Sequence, residues 1–532
     1  MTSVLNNLQK THSLPTEFAV VRAGERLRTA GEWLNTFADP SSRAHLLEPL
    51  YSDHAAASAK IDPLRKMLTR FVERFGNSPV VIARAPGRLN IMGRHIDHQG
   101  GHVNMIALDR DTWVVAGPAA ETTLTLTNLD SLTFQDRRID VNSLLPGYRN
   151  QPWRQYVDEP QMMEISRAAA GDWSQYVKAA FARFLARSPE LEPCGLNLVV
   201  SGDIPPAAGL SSSSALVVST MEALCGLSGV HFPDQEFAEL CGEAEWYVGT
   251  RGGSGDHAAM KFARRGQVVQ IRFFPMEVTD SVDFPPNHVV LVCKSGIEAR
   301  KSAGVKDVFN HRVACYHLGR ELFKREHPDI ADGFRYLRDM LPVNAGLSPR
   351  ALLDRLEVLP ESATREELSE LLPPDMLAPI FSNHNEEPGP YPIRQVVRFG
   401  IAECERSRRS PELLRNAQYQ EFGKWMNISH DGDRVESLAE SADCGEDLAR
   451  IPGSYSCSLP QIDRMADTVL NVGGVLGAQI SGAGLGGCLM VLARSESVES
   501  VKAALVNEYY EPAGIEPDVF PCAPSAGSGV LE

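Results

Sequence analysis

What this chain of 532 residues lacks narrows the field before any motif is read. Its ten cysteines are scattered. With no C-x-x-C pair and no Cys/His cluster, neither a disulfide scaffold nor a zinc site is indicated, and a reducing cytoplasm is the expected compartment. No apolar run approaches the roughly 18 residues of a membrane span. The start, Met1-Thr-Ser-Val-Leu-Asn-Asn, has neither the basic opening nor the apolar core of a secretory leader. Positive charge is in the minority, 52 Lys and Arg against 68 Asp and Glu, for a net charge of −16. That balance argues against nucleic acid as a partner while leaving room for a local cationic pocket. G-x-x-x-x-G-K-[ST] is absent, as is H-R-D followed by D-F-G, so a bound nucleotide requires another architecture. At 43% hydrophobic and 23% charged, the chain is an ordinary globular one, and its length predicts two domains plus insertions.

What is present centres on Pro205-Pro-Ala-Ala-Gly-Leu-Ser-Ser-Ser-Ser-Ala215. The apolar run Leu196–Val200 before it reads as a strand. Leu216, Val217, Thr220, Met221 and Leu224 after it recur at helical spacing. Strand, glycine- and serine-rich turn, helix: this order aims free backbone N–H groups at an anion and adds the helix dipole. Gly209 lets backbone approach a phosphate with no Cβ in the way, and the serine hydroxyls supply donors and a reach toward magnesium. Four serines alone would more often only cap a helix; Pro-Pro before them and the apolar helix after them favour phosphate.

Two further clusters stand out. Ala85-Pro-Gly-Arg-Leu-Asn-Ile-Met-Gly-Arg-His-Ile-Asp-His-Gln-Gly-Gly101 runs from a strand into a polar set: Arg88, Asn90, Arg94, His95, Asp97 and His98. Each alone reads as structural polarity; together, bracketed by glycines, they suggest a shared cavity. Val248-Gly-Thr-Arg-Gly-Gly-Ser-Gly-Asp256 places four glycines around one carboxylate, able to press backbone and acid against a ligand. A glycine-rich turn, Gly482-Ala-Gly-Leu-Gly-Gly487, precedes an apolar run and is weak evidence by itself. Elsewhere, residues 1 to 75 read as a helical extension, Phe18–Phe37 included. Val103 to Arg138 reads as antiparallel strands, and 139–165 as a polar connection. Asp172 is the expected cap of the helix that follows. Residues 325–390 read as an insertion with a capping box at Thr364–Glu367 and no assigned function. Residues 431–455 read as a polar loop.

Taken in order, these elements resemble the galactokinase, homoserine kinase, mevalonate kinase and phosphomevalonate kinase (GHMP) superfamily, and galactokinases most. Ala85 to Gly101 is similar to that family's sugar-binding signature, Pro205–Ala215 to its phosphate loop, and Gly482–Gly487 to its third glycine motif. The likeness covers roughly residues 75–320 and 390–530. It implies a two-domain α+β fold, a ribosomal S5 domain 2-like N-terminal domain (76–288) and a ferredoxin-like C-terminal domain (289–532), with the active site between them. It also implies phosphoryl transfer from ATP to the anomeric C1 hydroxyl of a hexose, galactose first. By motif position Asp256 would be the general base and Arg88 would keep it ionised, as a nearby guanidinium does. Asp97, His95, Gly253 and Arg88 would contact sugar. Gly209, Leu210, Ser211, Ser212, Ser213, Ser214, Ala215, Gly482 and Gly484 would cradle phosphates. Ser213 and Glu245 would hold Mg²⁺, with Glu243 the alternative to the latter.

Two departures bear on the substrate. Arg94 stands where galactokinases carry a glutamate that contacts the sugar C6 hydroxyl, and Phe309 lies near the position of a family tyrosine. The stretch His95-Ile-Asp-His-Gln-Gly-Gly also resembles plant galacturonokinases. A cation at C6 would suit a uronate carboxylate, since a buried unpaired charge costs several kcal/mol. If Arg94 instead pairs with a nearby acid, a neutral sugar still binds through Asp97. A sugar- and ATP-binding sensor without catalysis is the reading from a different functional class.

Overall fold

In the computed structural model, residues 27–169, 171–206, 208–250, 252–297, 303–385, 389–436 and 447–532 are described. Part of the expected Phe18–Phe37 helix therefore lies outside them; what is described begins a helix at Ala30, capped by Thr29 with Glu32 closing a capping box.

The first sheet is built on β1 (Val81–Met92) and β2 (His102–Pro118), an antiparallel pair, with β3 (Thr123–Asn128), β4 (Arg137–Asp140) and β5 (Leu196–Gly202) beside them. The alternation expected for antiparallel strands holds locally, but β2 and β3 are not neighbours. β5 lies between them, antiparallel to β2 and parallel to β3. A helical crossover over Ser174–Arg187 precedes β5, and such crossovers are what parallel pairing requires. β6 (Gln267–Arg272) adds to β2 and β7 (Glu277–Asp283) to β6.

The two-residue period of the strands sorts their side chains between two cores. Val81, Ala83 and Ala85 face the helices Ser174–Arg187 and Ser212–Ser228, while Ile82, Trp113, Val115 and Val199 face the N-terminal helices through Leu64, Leu68 and Phe71. Helix Ser212–Ser228 departs from the one-faced burial its spacing predicts, because sheet and neighbouring helices enclose it; Ser214 through Leu224 are all buried. Asp172 accepts from the Ser174 backbone N–H at 3.0 Å, with Trp173 at the cap position itself. The 139–165 connection folds into two short helices, Trp153–Val157 and Pro160–Ala168.

The second sheet, antiparallel in the order β11-β8-β10-β9, comprises β8 (His288–Lys294), β9 (Val475–Ile480), β10 (Cys488–Arg494) and β11 (Val519–Cys522). One face packs on Ile462, Met465, Val469 and Leu505; the other, through Val290, Val292 and Met490, joins the first core with Trp425 and Met426. A final strand, β12 (Gly529–Val530), crosses back to pair with β1. Long helices Ala303–Glu326 and Ile393–Arg415 enclose the short helices of the 325–390 stretch around a separate core, and the Thr364–Glu367 capping box forms there. Two α+β halves thus share one continuous core. Among the described residues no helix is long and apolar enough to cross a membrane.

Candidate active site

β1 carries the first element of the site. Between Pro86 and Arg88 its register to β2 slips, and Gly87 lies so close to the Leu210 carbonyl that an added Cβ would stand 3.2 Å from that oxygen. The serine turn therefore rests directly on the strand, with the Arg88 backbone N–H donating to the Leu210 carbonyl at 3.3 Å. Arg88 then forks onto Asp256: Nε donates to Oδ1 at 2.6 Å and Nη2 to Oδ2 at 2.7 Å, while Nη1 donates to the Gly209 carbonyl at 2.8 Å. The Ser211 hydroxyl closes on the same carboxylate. Gly209 and Ser211 both take left-handed backbone, φ 74° and 61°, which turns the chain into helix Ser212–Ser228. On the other side Gly482 meets Gly209, an added Cβ falling 3.3 Å from the Gly209 carbonyl oxygen. Three separate motifs thus converge.

The electrostatics follow from this packing. Burial pushes the Asp256 carboxyl up, but the Arg88 guanidinium, its hydrogen bonds and the Ser211 hydroxyl more than offset it, holding the group at about 2. The carboxylate stays one-third exposed, at 34%, so it is ionised and reachable. Asp97 lies alongside: an added Cβ on Gly253 or Gly255 would stand 3.7 or 3.3 Å from its Oδ2. Burial raises Asp97 and the His98 hydrogen bond and charge outweigh it, for a net lowering.

The remaining candidates fall in two places. Glu245 stands 3.3 Å from His257 Nε2 and accepts at 2.6 Å from the hydroxyl of Ser214, one residue along the helix from Ser213, the serine expected beside it at magnesium. The period of the helix explains this, since Ser214 turns inward and Ser212 and Ser213 stay half-buried at its opening. Glu243 is tied to Arg183 at 2.8 Å. A carboxylate and serine hydroxyls are hard oxygen donors of the sort magnesium takes together with phosphates, so this set fits that ion. Among the described residues no group of three or more His, Cys, Asp and Glu side chains is arranged for a metal by itself. Gly484 lies against the Cys457 carbonyl, from which an added Cβ would stand 2.0 Å. Leu210 and Ala215 are buried supports, and Ala207 of the turn lies outside the described residues.

Arg94 does not offer a free cation. It is 2% exposed, with Nη2 2.8 Å from Asp433 Oδ2, 2.9 Å from the Ser429 hydroxyl and Nη1 3.3 Å from the Ile480 carbonyl. His95 stacks on Tyr455 with centroids 4.2 Å apart, reaches Asp433 at 3.4 Å, and has Phe309 6.2 Å away. Sequence reading missed Asp433, Glu403 and Tyr455. Asp433 sat in what read as a polar loop, and Glu403 in an amphipathic helix where acids usually face solvent; the run Ser429-His-Asp-Gly-Asp433 was the one available signal.

Comparison with known proteins agrees with the geometry. Residues 69–118 match the galactokinase galactose-binding signature, 175–264 the GHMP kinases N terminal domain, and 412–511 the GHMP kinases C terminal domain. A galactokinase of Roseiflexus sp. (strain RS-1) is 27% identical over 461 residues, 86% of this chain and 95% of its own. That of Saccharomyces cerevisiae is 25% identical over 517 residues, 88% and 94% of the two chains. The fold is that of Lactococcus lactis galactokinase, solved with galactose: TM-score 0.64 at 20% identity, over 88% of this chain and 99% of that one. In fold and in the order of the matched segments the chain is similar to kinases of the GHMP superfamily. Within that superfamily its likeness is to galactokinases, and these matches support a galactokinase-like sugar kinase of the transferase class.

Proposed function

We propose that the protein transfers the terminal phosphoryl group of ATP to the anomeric C1 hydroxyl of a hexose, galactose foremost. The observation that carries this is the shared carboxylate: Asp256 is gripped by the Arg88 fork and by Ser211 of the serine turn at once. A base held ionised beside a phosphate-binding turn is what phosphoryl transfer to a hydroxyl needs, positioning and charge stabilisation being most of the catalysis. In this reading Asp256 accepts the C1 hydroxyl proton and Arg88, also anchored on Gly209, steadies the transferring group. Asp97, with Gly253 and Gly255 against it, takes the ring hydroxyls. The opening N–H groups of helix Ser212–Ser228 and the adjoining Gly482 turn receive the phosphates. Glu245, with the serine hydroxyls of this turn, would hold magnesium, which when bound supplies charge neutralisation between the phosphates.

A uronate is the weaker reading, because the Arg94 charge is already answered by Asp433 inside the protein. A purely binding role is weaker still, since Arg88 and Asp256 are both in place. The relatives named as galactokinases, and the L. lactis structure holding galactose, lend the choice of sugar its support. The test is ADP release over a sugar panel with galactose and galacturonate side by side. Turnover on galactose supports the proposal. Turnover on galacturonate alone transfers it to the uronate, and thermal stabilisation by sugar without ADP release reduces the protein to a sensor.

A further inference from the structure

The turn Gly93–His95 of the sugar signature belongs to the first half of the chain but is gripped by carboxylates of the second. Glu403, at 0% exposure on helix Ile393–Arg415, accepts the backbone N–H of Gly93 at 2.8 Å and of Arg94 at 3.1 Å. Its other oxygen accepts from Arg406 Nε at 2.8 Å. Asp433, also at 0% exposure, faces the side chains of the same turn, Arg94 at 2.8 Å and His95 at 3.4 Å. The turn has two residues in left-handed backbone, Gly93 at φ 104° and His95 at φ 61°. For His95 that conformation is locally unfavourable and persists only when its surroundings over-determine it. A Cβ on Gly93 would stand 2.3 Å from the His102 carbonyl oxygen, so the turn cannot relax toward β2.

Among the described residues neither acid hydrogen-bonds to Asp256 or to the serine turn. Two buried carboxylates with well-formed partners are weak evidence for stability and better evidence for a fixed geometry. Asp97 follows His95 by two residues, and the Ile96 between them is tied down by its carbonyl, which accepts the Gln99 and Gly101 N–H groups at 3.0 Å each. Its carboxylate position against Gly253 and Gly255 is therefore inherited from the orientation of Gly93–His95. We infer that Glu403 and Asp433 are positioning residues for sugar recognition: Glu403 sets the turn backbone, Asp433 sets Arg94 and His95, and together they aim Asp97. The inference rests on the proposed sugar kinase activity and deepens it by placing part of sugar selectivity in the second half of the chain.

The test uses the full chain with Glu403→Gln, Asp433→Asn and the double variant Arg94→Met/Asp433→Leu, which removes both charges at similar volume and so protects the fold. The sugar KM is expected to rise on the order of 10- to 100-fold, the scale of a displacement near 1 Å, while the ATP KM stays within about twofold. In Glu403→Gln the Gly93 and Arg94 amides should exchange hydrogen faster than in the parent. A double variant with unchanged melting and unchanged sugar KM would show the pair to be filler, overturning the role of Asp433. Sugar and ATP KM rising together would overturn positioning in favour of general loosening. Should the parent phosphorylate no sugar, the proposed function fails by itself. Amide exchange still decides the clamp, and unaltered protection of Gly93 and Arg94 in Glu403→Gln sinks it.

Discussion

Replacing Arg88 with glutamine separates the two things its guanidinium does. In the parent, Asp256 is held at about 2 although burial alone would push it up from 3.8. Without the fork, burial is opposed only by the Ser211 hydrogen bond and weaker charges, so the carboxyl moves above 3.8. A base works only when ionised. Parent kcat/KM should therefore stay level down to the acid limit of folding, whereas Arg88→Gln should lose activity on an acid limb that begins at higher pH, where its carboxyl takes up a proton. Above that limb the variant should still be slower, on the order of 10³-fold, because phosphoryl-transfer arginines contribute about 10³ to 10⁵. Asp256→Asn should cost about 10²- to 10⁴-fold in turnover, with ATP binding retained and no such limb. The double variant should be little worse than the worse single, since groups acting as one unit are not additive. A coupled ADP assay run from about pH 4 to 9 reads all of this. An Arg88→Gln profile that overlays the parent in shape, or near-parent turnover by Asp256→Asn, removes Asp256 from the mechanism.

Other outcomes follow from single contacts. Glu245→Gln should raise the Mg²⁺ concentration for half-maximal activity by about tenfold or more, with sugar KM little changed; an unchanged magnesium titration would release Glu245 from the ion. Gly484→Ala should lower the melting temperature or abolish soluble expression, because φ is 81° there and the new Cβ would stand 2.0 Å from the Cys457 carbonyl oxygen. Melting temperature should also fall between pH 7 and about 5. His102, His311 and His317 are depressed to about 4 and His430 to about 3, each chiefly by burial. Their folded values lie below the ordinary 6.5, so the unfolded chain binds more protons as pH drops and stability is lost. Asp109, raised by burial to about 6, works the other way, as do Asp431 and Asp463, also raised by burial, but His384 is depressed as well and the histidines outnumber them. A melting temperature that holds or rises over that interval would contradict the assignment of neutral histidines.

The serine turn was legible because its pattern is local. Gly209, the serines and the start of the helix sit within the eleven residues Pro205–Ala215, and only the sense of burial was misjudged, since helix Ser212–Ser228 is enclosed and not one-faced. Arg88 and Asp256 were legible by motif, 168 residues apart. The meeting of Glu245 with Ser214 was not, because choosing among four adjacent hydroxyls needs the helix phase at its first turn. The partner of Arg94 was legible only as an open alternative. Its acid lies more than three hundred residues on, and no local spacing distinguishes Asp433 from a solvated loop acid. Pairing of β3 with β5 was hidden for the same reason: alternation reports which face a residue takes, not which strand lies alongside.

The distribution of these contacts separates the two ends of the proposed reaction. Arg88, Asp256 and the serine turn bond to one another within the first half, the second half adding the Ser481–Gly482 approach to Gly209. The sugar turn is different. Glu403 and Asp433 fix its start, and at its end Arg338, from the 325–390 stretch, donates to the Gly100 carbonyl at 3.1 Å and to the Phe273 and Phe274 carbonyls beside it. Gly100 leaves room for that arm, since an added Cβ would stand 3.1 Å from the Arg338 side chain. A stretch with no chemistry of its own thus bears on the sugar loop. Perturbations in helix Ile393–Arg415 or around Arg338 should therefore reach sugar affinity before they reach the nucleotide, because the proposed base and its guanidinium do not depend on them for a single hydrogen bond among the described residues.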